Sequence, residues 1–175
     1  MFNLAKWLNY VPAKEREGIA LDRREWWWDV SGAYKVGPLV QAIGRLFPER
    51  AVLYVESPTM APEVAEFLKA RAPAKSTKVF MATIWPRPQV AHMTISAKHI
   101  AEFFALTEQQ NGHQICEHLH VYQDEKVLLE GFDVLDSHPV SISAEISEGQ
   151  VKTFAEQLKC TYKKSAGRKR ASFEG

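Results

Sequence analysis

A chain of 175 residues with 46% hydrophobic and 25% charged residues has the make-up of an ordinary globular protein, which excludes wholesale disorder and favours one core over two. Its formal net charge of +1 leaves no general electrostatic pull toward nucleic acid. No apolar run approaches the roughly 20 residues of a membrane-spanning helix, so no membrane partner is expected.

A short helix through Phe2, Ala5 and Leu8 is predicted to stop before Pro12. Lys6 interrupts its apolar stretch and no small-residue cleavage site follows, so it does not resemble a secretory signal, and a cytoplasmic location is expected. Trp26, Trp27, Trp28 and Val30 read as an extended segment, and Leu39, Val40, Ile43, Leu46 and Phe47 as an apolar helical stripe ended by Pro48. Ala51 to Val55 is a continuous apolar run of the kind buried on both faces, expected at the centre of a sheet. Pro62 helps to start a helix carrying Val64, Phe67 and Leu68. Strands are predicted over Val79–Trp85 and Val90–Ile95, on either side of Pro86-Arg87-Pro88.

Ser96 then opens a helix with Ile100, Phe103 and Phe104 on one face and an exit at Gly112. Alternation on both sides of Asp124-Glu125 predicts a hairpin from Ile115 to Val134, and a further strand is expected over Val140–Ile146. Ser147 and Gln150 have capping-box spacing ahead of Val151, Phe154, Ala155 and Leu158. The order αβαβαββαβββα predicts an α+β fold, a mixed and mostly antiparallel sheet with helices packed on it.

Residues 163–175 carry Lys163, Lys164, Arg168, Lys169 and Arg170 against Glu174, a net +4 that leaves −3 for the rest. This predicts a single domain over 1–162 and a flexible basic tail, the one segment suited to touching nucleic acid. Cys116 and Cys160 are expected to be reduced thiols.

The densest chemistry lies on the first hairpin strand, where a period of two puts Cys116, His118 and His120 on one side. With a two-residue turn, Tyr122 faces Val127, His120 faces Leu129, His118 faces Gly131 and Cys116 faces Asp133. Thiolate, imidazoles and carboxylate are zinc-type donors, so Cys116, His118, His120 and Asp133 form a candidate metal set, with zinc the one cofactor to consider. Their spread over about 13 Å of strand calls for further donors, such as His92, His113 or His138. Gly131 opposite His118 would leave room above the imidazole. The other face, with Leu119, Val121, Leu128 and Phe132, is assigned to the core. It brings Glu117 and Glu130 to one side as a carboxylate pair that Arg71 or Arg87 could neutralise.

The run from Arg23 to Asp29 is the second unusual feature. Adjacent tryptophans on a strand must point to both faces, and Arg24, Trp26, Trp27, Trp28 and Asp29 have the composition of a protein-binding hot spot. No phosphate loop and no Gly-x-Ser-x-Gly elbow occurs, and no complete catalytic set can be assembled, so no catalytic residue is assigned. The expectation is a non-enzymatic protein-binding module that contacts another protein through the tryptophan segment. The alternative is a metal-dependent hydrolase using the 116–120 strand face.

Overall fold

The computed structural model describes residues 9–47 and 50–167; the predicted helix through Phe2 and Leu8 lies outside them. After a single helical turn, α1 (Ala13–Arg16), the elements are β1 (Trp26–Ser31), α2 (Val36–Leu46), β2 (Val52–Ser57), α3 (Pro62–Lys69), β3 (Gln89–Thr94), α4 (Ala97–Thr107), β4 (His118–Gln123), β5 (Lys126–Gly131), β6 (Val140–Ser143), α5 (Glu148–Leu158) and β7 (Thr161–Ala166). Short 3₁₀ turns over Gly112–Gln114 and Val134–Asp136 flank the hairpin. The fold is α+β: one seven-stranded sheet in the order β3-β2-β4-β5-β6-β1-β7, with every strand pair antiparallel. Among the described residues no helix is long and apolar enough to cross a membrane.

Local signals place most of these elements. Pro62 occupies the first turn of α3, where its missing N–H costs nothing. The Ser96 hydroxyl accepts the His99 N–H and starts α4. The Ser147–Gln150 box caps α5: Ser147 Oγ accepts the Gln150 N–H, and Gln150 Oε1 accepts the Ser147 N–H. Ser147→Ala removes one half of this exchange and is expected to cost about 1 kcal/mol, read as a fall in melting temperature of about 2–4 °C.

The four longer helices all cover one face of the sheet. There Leu39, Ile43, Val64, Leu68, Phe103, Val151 and Phe154 pack on Val30, Leu53, Val55, Met93, Leu119, Val121 and Ile142 in the main core. A smaller apolar cluster on the opposite face gathers Val52, Tyr54, Tyr122 and Val127 beneath Leu21 and Val79, which come from the segments before β1 and before β3. These covering segments touch each other through an isolated parallel bridge, Ile19 to Val79. The sheet is thus covered on both faces over its β2–β4–β5 part.

Three expectations are corrected. Val79–Trp85 makes no regular strand, because its backbone crosses the sheet face and spends its hydrogen bonds on side chains and on the 16–19 segment. β2 is buried at all six positions but is second from one edge rather than central. Lys163 to Ala166 belong to β7, which pairs with β1 from Trp26 to Ser31, so the tail predicted to start at 163 is sheet up to Ala166. Its Thr-Tyr-Lys-Lys-Ser-Ala sequence reads as solvated because it forms an edge strand, where charge guards against further pairing.

Candidate functional site

The hairpin turns at Asp124-Glu125 as its sequence implies, with Gln123 opposite Lys126 and Tyr122 opposite Val127. Asp124 takes the positive φ of 55° that the turn requires, a conformation Asp tolerates better than most residues. One step further the register shifts, so that Val121 faces Leu129, His120 faces Glu130 and Leu119 faces Gly131, with Leu128 as the extra residue of a β-bulge. The expected pairings of His120 with Leu129 and of His118 with Gly131 are therefore wrong by one residue, and a shift of one moves every side chain to the other face. Leu129 joins the helix-side core, and Glu130 comes to lie beside His120. The space above Gly131 is occupied, since a Cβ there would meet Val134 Cγ1 at 2.7 Å.

This shift assembles a buried polar strip on the face away from the helices. Glu56, at the end of a strand otherwise apolar from Ala51 to Val55, is completely buried. Its carboxylate accepts the Tyr54 hydroxyl at 2.8 Å, the Ala82 N–H at 3.2 Å and the Thr83 N–H at 2.6 Å. Glu56 thus anchors the 82–83 backbone to the sheet. Glu130 accepts the Leu21 N–H at 3.3 Å and pairs with Arg23 at 2.8 Å, anchoring the other covering segment. Burial raises its pKa, opposed by Arg23 and by the Leu21 hydrogen bond.

His120 sits between these anchors, fully buried against Tyr54 and Phe132, and among the described residues neither ring nitrogen has a hydrogen-bond partner. Its Nδ1 is 3.7 Å from Glu130 Oε1, too far for a hydrogen bond. Burial first, then the fields of His118 and Arg23, lowers its pKa to about 3, so the imidazole is neutral. His92 is also lowered by burial, and its Nδ1 lies 3.0 Å from the Tyr122 hydroxyl.

The candidate metal donors are distributed as follows. His118 and His120 share the strip. Cys116 precedes β4 and is buried in the helix-side core, where its thiol donates to the His118 carbonyl and desolvation pushes its pKa up. Asp133 opens the 3₁₀ turn after β5 in a left-handed conformation; its N–H donates to His118 Nδ1 at 2.9 Å, and its carboxylate lies 3.6 Å from His118 and 3.5 Å from His138. Because Nδ1 accepts this bond, a ring proton of His118 sits on Nε2. Among the described residues no three His, Cys, Asp or Glu side chains form a group able to hold a metal ion. Glu117 and Glu130 are not a pair either: Glu130 uses Arg23, whereas Arg71 pairs with Glu102 and Arg87 with Glu15.

The tryptophan segment becomes β1, inside the sheet between β6 and β7. Trp28 is only 7% exposed in the helix-side core, with Trp26 edge-on against it. Lys164 lies over the Trp26 ring, and Trp27 on the opposite face lies under Arg23. Asp29 accepts hydrogen bonds from Trp27 Nε1, Ser141 Oγ and Ser165 Oγ, which ties β1 to both neighbours. Arg24 pairs with Asp22 on the surface and lines an open cleft of about 450 Å³ together with Trp26 and Glu145.

Solvent-facing apolar side chains concentrate elsewhere. Among the described residues, the large hydrophobics that are exposed are Tyr10, Ile84, Trp85 and Val90, with Trp85 the most so at 56%. They share one corner. The Val11 N–H donates to the Ile84 carbonyl, Arg87 donates to the Tyr10 carbonyl, and Val90 pairs in register with Glu56, whose carboxylate holds Thr83. Beside them an open cleft of about 580 Å³ is lined by Phe80, Trp85, Phe132, His118, Glu117 and Asp133 among others.

Sequence reasoning passed over both Glu56 and Trp85. A carboxylate that continues a doubly buried apolar run was the signal for the first; an Ile-Trp pair just before Pro-Arg-Pro, too polar a neighbourhood to bury it, was the signal for the second. Comparison with protein-family models, with curated proteins and with solved structures gives no match to this chain.

Proposed function

We propose that this chain is a non-enzymatic protein-binding module whose contact surface is the corner formed by Tyr10, Ile84, Trp85 and Val90. The observation that carries this reading is the exposed pair Ile84 and Trp85 lining an aromatic-walled cleft, with exposed Tyr10 and Val90 on segments tied to the same stretch by backbone and register contacts. Scattered surface hydrophobics need no explanation, whereas a grouped set that includes an exposed Trp has the composition of an interface centre. The Trp26–Asp29 segment offers less to a partner, since Trp28 is interior and the Asp29 carboxylate is already bonded to three side chains. A zinc-type hydrolase built on Cys116, His118, His120 and Asp133 has less in its favour, because the thiol and the imidazoles lie on different sides of the sheet.

The test is affinity capture from the source cell, followed by binding measurements with the purified partner. Trp85→Ala is expected to weaken that binding by at least ~10-fold while changing unfolding free energy by less than about 0.5 kcal/mol. A partner bound equally well by the wild type, Trp85→Ala and Ile84→Ala would overturn the proposal.

A further inference from the structure

The corner of exposed side chains continues into an open strand edge. β3 pairs with β2 on one side and with no described strand on the other. Its backbone direction follows from two bonds: the Ile95 N–H donates to Ala51 across β2, while the Thr94 N–H points outward to the Arg71 carbonyl. Alternation along an antiparallel strand then turns the N–H and C=O of His92 and Val90 outward as well. Thr94 is satisfied on that side, since its carbonyl also meets His99 Nδ1 at 2.8 Å. Among the described residues, nothing hydrogen-bonds the outward backbone groups of Val90 and His92.

Edge strands are usually defended by charge, proline or cover. The opposite edge of this sheet, β7, carries Lys163 and Lys164, whereas Gln89-Val90-Ala91-His92-Met93-Thr94 contains no Asp, Glu, Lys, Arg or Pro. The undefended edge is also the one that adjoins Trp85.

Resting on the proposed protein-binding role, we infer that β3 takes an extended segment of a partner protein as an additional strand, with an apolar side chain of that segment seated on Val90 and Trp85. Backbone pairing supplies the affinity and the apolar corner the selectivity. A second copy of this chain fits less well. Two-fold antiparallel pairing of β3 with itself would set the Val90 end of one copy against the Thr94 end of the other, where the Arg71–Glu102 ion pair lies. The apolar corner would then face charge.

The experiment is a titration of the isotope-labelled full chain with the capped peptide Thr-Val-Thr-Val-Thr-Val-Thr, followed by backbone amide NMR. The amide signals of Val90 and His92 are expected to shift, with a Kd in the millimolar range. Methylating alternate peptide nitrogens, or introducing Val90→Lys, is expected to weaken binding at least ~10-fold, the latter with an unchanged urea midpoint. Shifts confined to Ile84 and Trp85 would overturn strand addition while leaving the contact corner in place. No shift at any residue would also overturn the inference. Shifts at Val90 and His92 that grow with protein concentration in the absence of peptide would assign the edge to a second copy and overturn the occupant named here.

Discussion

Glu56→Ala is expected to lower the unfolding free energy by about 3–5 kcal/mol, the sum of roughly 1–3 kcal/mol for each buried donor it would leave unpaired. The carboxylate accepts the Tyr54 hydroxyl and two backbone N–H groups, and alanine would leave all three donors without a partner. An orphaned buried donor bears its full desolvation cost. Glu56→Gln should lose roughly half as much, because one oxygen can still accept the Thr83 N–H while the amide nitrogen opposes the Ala82 N–H. Urea unfolding at pH 7 measures both, and hydrogen exchange at Ala82 and Thr83 should accelerate in step with the lost stability. An unchanged urea midpoint in Glu56→Ala would show that the covering segment does not depend on this anchor.

The second large effect is pH dependence set by His120. Its folded pKa, about 3, lies below the unfolded value near 6.5, so as pH falls below 6.5 the unfolded chain takes up a proton that the folded chain refuses. Stability contributed by the neutral imidazole is therefore intact above pH 6.5 and drains away toward pH 3, at roughly 1.4 kcal/mol per pH unit and about 3 kcal/mol by pH 4. His92, also lowered by burial, acts in the same direction. Glu130 acts in the opposite one, since a raised carboxyl pKa means that the folded state gains its proton first, which favours folding as pH falls through that range.

His120→Leu removes the main acid-sensitive group and replaces two unpaired buried nitrogens with hydrocarbon of similar volume. It is expected to be neutral or stabilising by about 1 kcal/mol at pH 7, and more stable than the wild type by about 3–4 kcal/mol at pH 4. Chemical denaturation of both proteins at the two pH values decides this. Parallel loss of stability in both would place the acid sensitivity elsewhere.

The same strip shows how far sequence patterns reach. A period of two is a property of the strand itself, so the common side of His118, His120 and Tyr122, and the core side of Leu119 and Val121, follow from residue order. Caps are equally local: Ser96, Ser147 and Gln150 start their helices with groups three residues apart. Pairing across the hairpin is not local beyond its first two positions. The bulge at Leu128 moves Glu130 from the side of Leu119 to that of His120, and no periodicity in β5 announces it.

Residue order by itself determined the α+β class, the hairpin at Asp124-Glu125 and most of the long elements, because turns, caps and apolar periodicity act within a few residues. Tertiary structure alone decided that β1 lies between β6 and β7, that the 17–22 and 76–85 segments cover the histidine face, and that Trp28 is interior while Trp85 is exposed. Those outcomes turn on contacts between segments far apart in the chain, such as Glu56 with Thr83 and Glu130 with Leu21. Such contacts exist only once the chain has closed, and no run of neighbouring residues records them.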